Sequence, residues 1–463
     1  MTHPVHFDRA LIRRYDIAGP RYTSYPTAPR FHEGFDAEAY RRFVAMSNDE
    51  LIPAPLSLYV HLPFCRSLCY YCACTKKITR HAEHGERYLE SLTKEIEMQG
   101  RLFDRDRPVR QLHFGGGTPT FFEDIQIEQL MARLRQSFSF DKSDDREFSI
   151  ELDPRTVDAG RLAFLADTGF NRVSVGVQDI DPEVQQAVNR VQDTEHTLGL
   201  VDQARRAGIG SVSMDLIYGL PLQTPERFTR TLEAVAAARP DRLAVYSYAH
   251  MPNAFRAQRL IRDSDLPTPE TKLELMELAV EHLTAAGYVY IGMDHFALPE
   301  DELAVALTNG SLQRNFQGYS TRGDCDLIGL GVSAIGKVGD CYAQNIKEIP
   351  RWADAVDNGD FPIWRGYTLN AEDRLRRGII EAIMCRGMVE YDWFENRFDM
   401  AFDDYFAAEI ENLRPLEKDG LINIEEDRFT VTPAGRLLLR AIAMVFDAHL
   451  TASQSAPRFS RVI

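Results

Sequence analysis

From about residue 55 the chain alternates between short runs rich in β-branched and aromatic residues and longer stretches with apolar positions at helical spacing. The strand-like runs are "LSLYVHLPF" (56–64), "VRQLHFGGG" (109–117), "EFSIELDP" (147–154), "RVSVGVQ" (172–178), "VSMDLIYGLP" (212–221), "RLAVYSYAHMP" (242–252) and "YVYIGMDHF" (288–296). Between them lie helical stretches such as "ERYLESLTKEIEMQGRLF", "IEQLMARLRQSF", "ERFTRTLEAVAAA" and "ETKLELMELAVEHLTAAG". Alternation on this scale implies an α/β fold, a parallel sheet with right-handed crossovers. Six or seven units over about 240 residues predict an open or partial (β/α) barrel. Such barrels place their chemistry at the carboxyl ends of the strands. The unusual residues fall there: a cysteine cluster, Gly115–Gly117, Glu151, Gln178, Asp215 and His250. The rule predicts that these distant pieces share one site.

The flanks read differently. Residues 1–50 lack a strand pattern but contain "YDIAGPRYTSYPTAPRF", too rich in aromatic rings for a plain disordered tail, so an ordered N-terminal arm is expected. Residues 51–365 are assigned to the barrel with a connecting segment, and 366–463 to a mainly helical C-terminal domain. In that last part "LNAEDRLRRGIIEAIMC" and "MAFDDYFAAEIENLRPLEKDG" predict amphipathic helices. "LINIEEDRFTVT" predicts a hairpin and "PAGRLLLRAIAMVFDAHL" a final helix, an arrangement like a winged helix. Its many carboxylates argue for a packing domain rather than a DNA-binding one.

Composition narrows the class. A chain of 463 residues exceeds one ordinary domain, and 44% hydrophobic with 26% charged residues is a soluble globular balance. The opening "MTHPVHFDRALIRRYD" has no apolar core of a secretory signal, and no run approaches the roughly 18 apolar residues of a membrane span. A cytoplasmic location, without a membrane span, is expected. The formal charge of −16 repels a phosphate backbone and no long basic run offsets it, so nucleic acid is not an expected partner. A small anionic substrate remains compatible, because a few arginines in a pocket can outweigh the global field.

The chemistry concentrates in "PFCRSLCYYCACTKK", which holds Cys65, Cys69, Cys72 and Cys74, four of the chain's seven cysteines. A reducing compartment disfavours disulfides and favours a metal or catalytic role. The spacing C-x3-C-x2-C lets three thiolates take three irons of a four-iron, four-sulfur cube, leaving the fourth iron open to a substrate. Zinc, which prefers four ligands in separated pairs, is the alternative, with Cys74 as its fourth ligand.

"CRSLCYYC" after the first strand and "GGGTPT" after the second resemble the signatures of the radical S-adenosylmethionine superfamily. "GPRYTSYPTA", Cys74 in C-x-C, "IELDPR", "YAHMP", "MDHFA", "RNFQGYST", "GVSAIG", "GDCYAQN" and "FSRVI" then resemble, nearly end to end, the oxygen-independent coproporphyrinogen III oxidase family. That resemblance implies a partial (β/α) barrel of the radical S-adenosylmethionine type, one [4Fe-4S] cluster and two molecules of S-adenosylmethionine. It also implies a reaction of heme biosynthesis. Two propionate side chains of coproporphyrinogen III lose carbon dioxide and become vinyl groups, giving protoporphyrinogen IX. A 5′-deoxyadenosyl radical takes hydrogen from an unactivated carbon, which acid–base catalysis cannot do. A one-electron donor protein is implied, and a monomer is expected.

The resemblance also implies residue roles. Cys65, Cys69 and Cys72 are cluster ligands, while Cys74 is a catalytic candidate that is not a ligand. Tyr59, Glu151 and Ile335 join a first S-adenosylmethionine site. Tyr71, Gly116, Gly117, Gln178, Arg190, Asp215 and Ala249 join a second, and Gly115 and Thr118 complete the glycine motif. Tyr71 stands where an aromatic residue, often Phe, is usual, and its hydroxyl is a mild departure. From residue type alone, Gln178 and Asp215 suit adenosine hydroxyl and amino groups and Arg190 suits a carboxylate. The plain alternatives are strand-end hydrogen bonds and, for Arg190, a surface salt bridge. Glu151 could equally be an ordinary carboxylate at a helix start. Four substrate carboxylates call for cations. Arg21 in the arm is the candidate, with Phe316 and Gln317 as further pocket residues. His61, His113, His250 and His295 share no ligand spacing and read as core or rim histidines. Competing readings are a related radical methyltransferase and a heme-trafficking paralogue. Both lack the C-x-C cysteine and the "GPRYTSYP" arm that this chain has.

Overall fold

The computed structural model describes residues 4–450; the "FSRVI" motif lies outside them. Packing divides the described chain into two units. One gathers 31–267 and 324–368, the other 4–30, 268–323 and 369–450.

The larger unit is built on seven parallel strands: β1 (Leu56–Leu62), β2 (Pro108–Gly116), β3 (Glu147–Leu152), β4 (Arg172–Gln178), β5 (Ser211–Tyr218), β6 (Arg242–Ser247) and β7 (Asp326–Leu330). Their order is β6-β5-β4-β3-β2-β1-β7, each pair parallel. β8 (Ile335–Val338), β9 (Cys341–Asn345) and β10 (Ile363–Thr368) continue the sheet antiparallel beyond β7. Crossover helices follow the strands: α1 (Ala37–Asn48) precedes the sheet, then α2 (Ala82–Gly100), α3 (Asp124–Ser137), α4 (Ala159–Thr168), α5 (Thr194–Arg206), α6 (Pro225–Ala238) and α7 (Ile349–Asp357). Asp158, Asp193 and Thr224 cap α4, α5 and α6 by accepting from backbone N–H groups of the first turn, each cap contributing about 1 kcal/mol. Along β1, Leu58, Val60 and Leu62 are wholly buried. Ser57, Tyr59 and His61 alternate to the other face, as the strand period requires.

One strand expectation fails. "YVYIGMDHF" does not supply a seventh parallel strand. It folds back as an antiparallel hairpin, Val289–Gly292 with His295–Ala297, in the smaller unit. Gly292 (φ 152°) and Met293 (φ 55°) turn the chain where the apolar run looks continuous. The seventh parallel strand is β7, from "DLIGL", and it pairs beside β1.

In the smaller unit, helix Ala371–Arg386 opens on a reciprocal Asn370–Asp373 cap and stops at Gly387 (φ 64°). The predicted hairpin forms as Ile422–Ile424 with Arg428–Val431, and Met388–Glu390 adds a third strand. The final stretch is not one helix. It breaks into Gly435–Leu438, Leu439–Ala443 and Met444–Phe446. Tertiary contacts override propensity here. Gly435 sits where a Cβ would strike the Leu421 carbonyl, and the buried Arg436 and Arg440 turn inward to backbone carbonyls. The arm's Tyr22 and Tyr25 are buried in this unit, and Tyr22 Oη donates to Asp447 at 2.9 Å. Among the described residues no helix is long and apolar enough to cross a membrane.

Candidate active site

The chain leaves β1 into the cysteine loop, whose base is closed by a short parallel ladder. The Lys77 N–H donates to the Pro63 carbonyl (2.6 Å) and the Thr79 N–H to the Cys65 carbonyl (3.0 Å). Neighbours hold the loop by its backbone. Tyr70 N–H donates to the Val188 carbonyl at 3.0 Å, Asn189 Nδ2 to the Leu68 carbonyl at 2.7 Å, and Gln258 Nε2 to the Tyr71 carbonyl at 3.0 Å. Lys76 Nζ caps the Cys72 carbonyl at 3.0 Å. The thiols meet donors. Thr118 Oγ1 lies 3.4 Å from Cys65 Sγ, and Arg190 Nη1 lies 3.5 Å from Cys69 Sγ.

Arg190 is a buried hub, not a surface ion pair. It also donates to the Gly176 carbonyl (2.6 Å) and to Asp153 (3.3 Å), which Arg155 holds from the other side at 2.6 Å. Burial works against its charge, but Tyr71, Asp153 and Cys69 outweigh that, so it stays a cation. Asp153 and Arg155, in the "IELDPR" stretch, were not singled out by residue type; only the folded chain brings them to Cys69.

The glycine loop explains itself by contact. A Cβ on Gly115 would lie 2.8 Å from the Glu151 carboxylate, and one on Gly117 would lie 2.8 Å from the Phe64 backbone. Gly116 adopts φ 113°, and a Cβ there would strike the His61 ring at 2.6 Å. The glycines therefore bring the loop against its own strands: Gly117 N–H reaches the Leu62 carbonyl at 2.9 Å and Thr118 N–H the Phe64 carbonyl at 2.8 Å.

Ladder register lines up the inward side chains. Tyr59 stands opposite His113, His113 opposite Ser149, and Glu151 opposite Ser174. Tyr59 stacks on His113 (centroids 5.8 Å apart) and meets His61 Nδ1 at 3.0 Å. Glu151 accepts from Gly116 N–H at 3.1 Å and meets His113 Nε2 at 3.2 Å, with 41% of its side chain accessible. Burial raises Glu151, but His113 and the Gly116 amide hold it below the usual carboxylate range. Asp215 goes the other way: burial and the Glu151 charge push it up to about 7, with Ser174 Oγ donating at 3.1 Å. Gln178 ends β4 with φ 66°, a strained backbone for a residue with a side chain.

The remaining expected residues fall into place separately. Ile335 opens β8 against Gly329, the β7 neighbour of Tyr59. Ala249 follows β6, and its carbonyl accepts from Gln258 Nε2 at 3.2 Å. His250 is a rim histidine between Tyr248 Oη and Asp263. Arg21, Phe316 and Gln317 belong to the smaller unit, where Arg21 is ion-paired with Asp294.

Cys72 and Cys74 interact. The hydrogen bond from Cys74, with Lys76 nearby, brings Cys72 down to about 5, while that bond pushes Cys74 well above the usual thiol range. All seven cysteines are free thiols.

A sequence profile described as the Radical SAM superfamily matches residues 59–235, and one described as the HemN C-terminal domain matches 369–438. The chain is 49% identical over 459 residues to the oxygen-independent coproporphyrinogen III oxidase of Escherichia coli (strain K12), covering 99% of each. It is 49% identical over 463 residues to that of Pseudomonas aeruginosa, covering 100% of each. The solved coproporphyrinogen III oxidase of Escherichia coli, described as a radical SAM enzyme, superposes with a TM-score of 0.91 at 48% identity. The match covers 96% of this chain and 100% of that one. The chain belongs to the oxygen-independent coproporphyrinogen III oxidase family.

A radical S-adenosylmethionine enzyme of that family uses a [4Fe-4S] cluster and S-adenosylmethionine, and the donor set fits. Zinc would need sulfurs about 2.3 Å from one centre, whereas a cube takes thiolates at separate irons. The donors at the Cys65 and Cys69 sulfurs and the lowered Cys72 suit thiolate ligation, against burial that pushes Cys65 up to about 11.

Proposed function

We propose that this chain converts two propionate side chains of coproporphyrinogen III to vinyl groups without oxygen, giving protoporphyrinogen IX in heme biosynthesis. The observation that carries the reading is the three-thiol loop, with Thr118 and Arg190 at its sulfurs, in a chain related over its whole length to oxidases of that name. Cys65, Cys69 and Cys72 would hold three irons. When bound, the cluster and S-adenosylmethionine supply the electron and the carbon radical that attack an unactivated C–H bond.

The chain's own residues position and shield. Thr118 and Arg190 direct N–H and O–H groups at the thiolates, offsetting charge that would otherwise repel an incoming electron. Glu151, kept ionised and partly accessible, is suited to accept from the ammonium of methionine. Tyr59 is fixed by its stack on His113, so it walls the site rather than sweeping it. Asp215, pushed up to about 7 and so divided between its protonated and ionised forms near neutral pH, can donate to or accept from ribose hydroxyls. Tyr59, Glu151 and Ile335 are assigned to one S-adenosylmethionine. Tyr71, Gly116, Gly117, Gln178, Arg190, Asp215 and Ala249 are assigned to a second. The enzyme works as a cytoplasmic monomer served by a one-electron donor protein.

Anaerobic reconstitution with iron and sulfide, then incubation with coproporphyrinogen III, dithionite and S-adenosylmethionine, tests the reading. Vinyl-bearing product is expected, with methionine released. Methionine without vinyl product would overturn the oxidase assignment while leaving a radical enzyme.

A further inference from the structure

The smaller unit buries a cation that its own residues do not answer. Arg314 lies on the hairpin Gln313–Asn315/Gly318–Ser320, directly opposite Tyr319. It is 8% exposed, and its guanidinium lies over the Tyr319 ring at 4.7 Å. Its buried Nε and Nη1 have no acceptor. Among the described residues no carboxylate pairs with Arg314.

The surroundings add positive charge. Arg314, Arg436 and Arg21 all bear electrostatically on the Tyr319 phenol, while burial drives it upward. Asp294 answers Arg21. Arg436 is buried, gives Nη2 to the Tyr290 (3.0 Å) and Ile291 (3.1 Å) carbonyls, and leaves Nε without an acceptor. The Tyr319 hydroxyl donates its proton to the Met384 carbonyl at 2.9 Å. Gln317, in the turn of the same hairpin, has a buried Nε2 without an acceptor. Burying an unanswered guanidinium is costly, and stacking on a ring does not satisfy its N–H groups. An incoming carboxylate would satisfy them bidentately.

We propose that Arg314, with Gln317 as a second donor on its hairpin, receives a propionate carboxylate of the substrate. This rests on the oxidase reading above and deepens it. Arg314 opens the "RNFQGYST" stretch but was not itself singled out there, because the sequence gives no sign that its arginine is buried unpaired.

The test uses the reconstituted holoenzyme under anaerobic conditions and two porphyrin probes, coproporphyrin III and its tetramethyl ester. Arg314→Met should weaken coproporphyrin III binding by about tenfold to a hundredfold, the loss of a charge-assisted pair. Ester binding and S-adenosylmethionine binding should stay unchanged. In turnover KM should rise far more than kcat falls. The melting temperature without porphyrin should hold or rise, since an unanswered buried charge is gone. Arg314→Lys, which keeps charge but not the fork, should fall between the two. Unchanged coproporphyrin III binding in both variants overturns the proposal. So does a loss shared by the ester or by S-adenosylmethionine, or a lowered melting temperature with kcat and KM affected alike. Failure of the unaltered enzyme to bind coproporphyrin III would instead overturn the oxidase reading itself.

Discussion

Cys65, Cys69, Cys72 and Cys74 sit on one loop, yet their surroundings separate them. Two of the first three meet O–H or N–H donors at sulfur, and the third is drawn down to about 5. Cys74 is accessible and driven the opposite way. Burial pushes Cys65 up to about 11, while Cys72 is drawn toward the thiolate and Cys74 is held as its protonated neighbour. Cys72→Ser should abolish the visible absorbance of the reconstituted cluster. Cys74→Ser should keep it, with iron content unchanged, while turnover falls. Loss of iron from the Cys74 variant would show that the count of three ligands is wrong. The cysteine spacing was legible in the sequence because residues gathered on one loop need no tertiary information to be near one another. Arg190 was legible as a polar residue but not as a hub, and Asp153 and Arg155 carried no signal of their own. Their roles come from the approach of β3, β4 and the loop after β1, which local sequence does not encode.

The six strands from β1 to β6 were legible because apolar runs bounded by glycine and polar residues mark buried strands. The seventh was misread. "YVYIGMDHF" is the more apolar run, but a left-handed turn bends it into a hairpin, while the plain "DLIGL" takes the parallel place beside β1. What seats β7 is partly α2. Its Glu95 is fully buried and accepts from Gly331 N–H (2.7 Å), Asn345 Nδ2 (2.6 Å) and Trp352 Nε1 (3.2 Å), tying α2 to the turn after β7, to β9 and to α7. Burial nevertheless raises this carboxyl to about 7, against those three donors. Between the unfolded value near 4.5 and the folded value near 7 the native state holds a proton that the unfolded chain has released. Stability therefore falls as pH rises through that window, by on the order of 3 kcal/mol. The contribution is whole below the unfolded value and lost above the folded one. Gln at this position cannot titrate. The stability deficit of Glu95→Gln, measured by urea unfolding of the apoprotein, should shrink from pH 5 to pH 8. A deficit constant across that range would contradict a raised Glu95.

Each unit of the molecule is assembled from segments far apart in sequence. The consequence is sharpest for the C-terminal stretch, whose match to a named domain profile over 369–438 invites its excision. Its helices do share a core: Ile379, Ile383, Phe394, Phe402, Phe406 and Phe446 are buried together. The same cluster includes Tyr22 and Tyr25 from the arm, and Ile291, Leu303, Leu307 and Tyr319 from the segment 268–323. Arg440 and Arg436 likewise give their hydrogen bonds to carbonyls of Pro20 and of Tyr290 and Ile291. A fragment holding only 369–463 would lose those apolar partners and the carbonyls that the buried Arg436 and Arg440 bond in the other segments. Each large side chain uncovered forfeits about 1.5–3 kcal/mol, and a domain of that size has only a few kcal/mol of net stability in hand. The fragment is expected to keep helical far-ultraviolet dichroism while binding a hydrophobic dye and melting without a sharp transition. Adding the segment 268–323 through a flexible linker should restore part of the cooperativity, because it returns Ile291, Leu303, Leu307 and Tyr319 to the same core. A sharp, dye-free melt by the isolated 369–463 fragment would mean that the contacts made by the arm and the middle segment are dispensable. The interleaving of segments would then be a matter of chain path and not of stability.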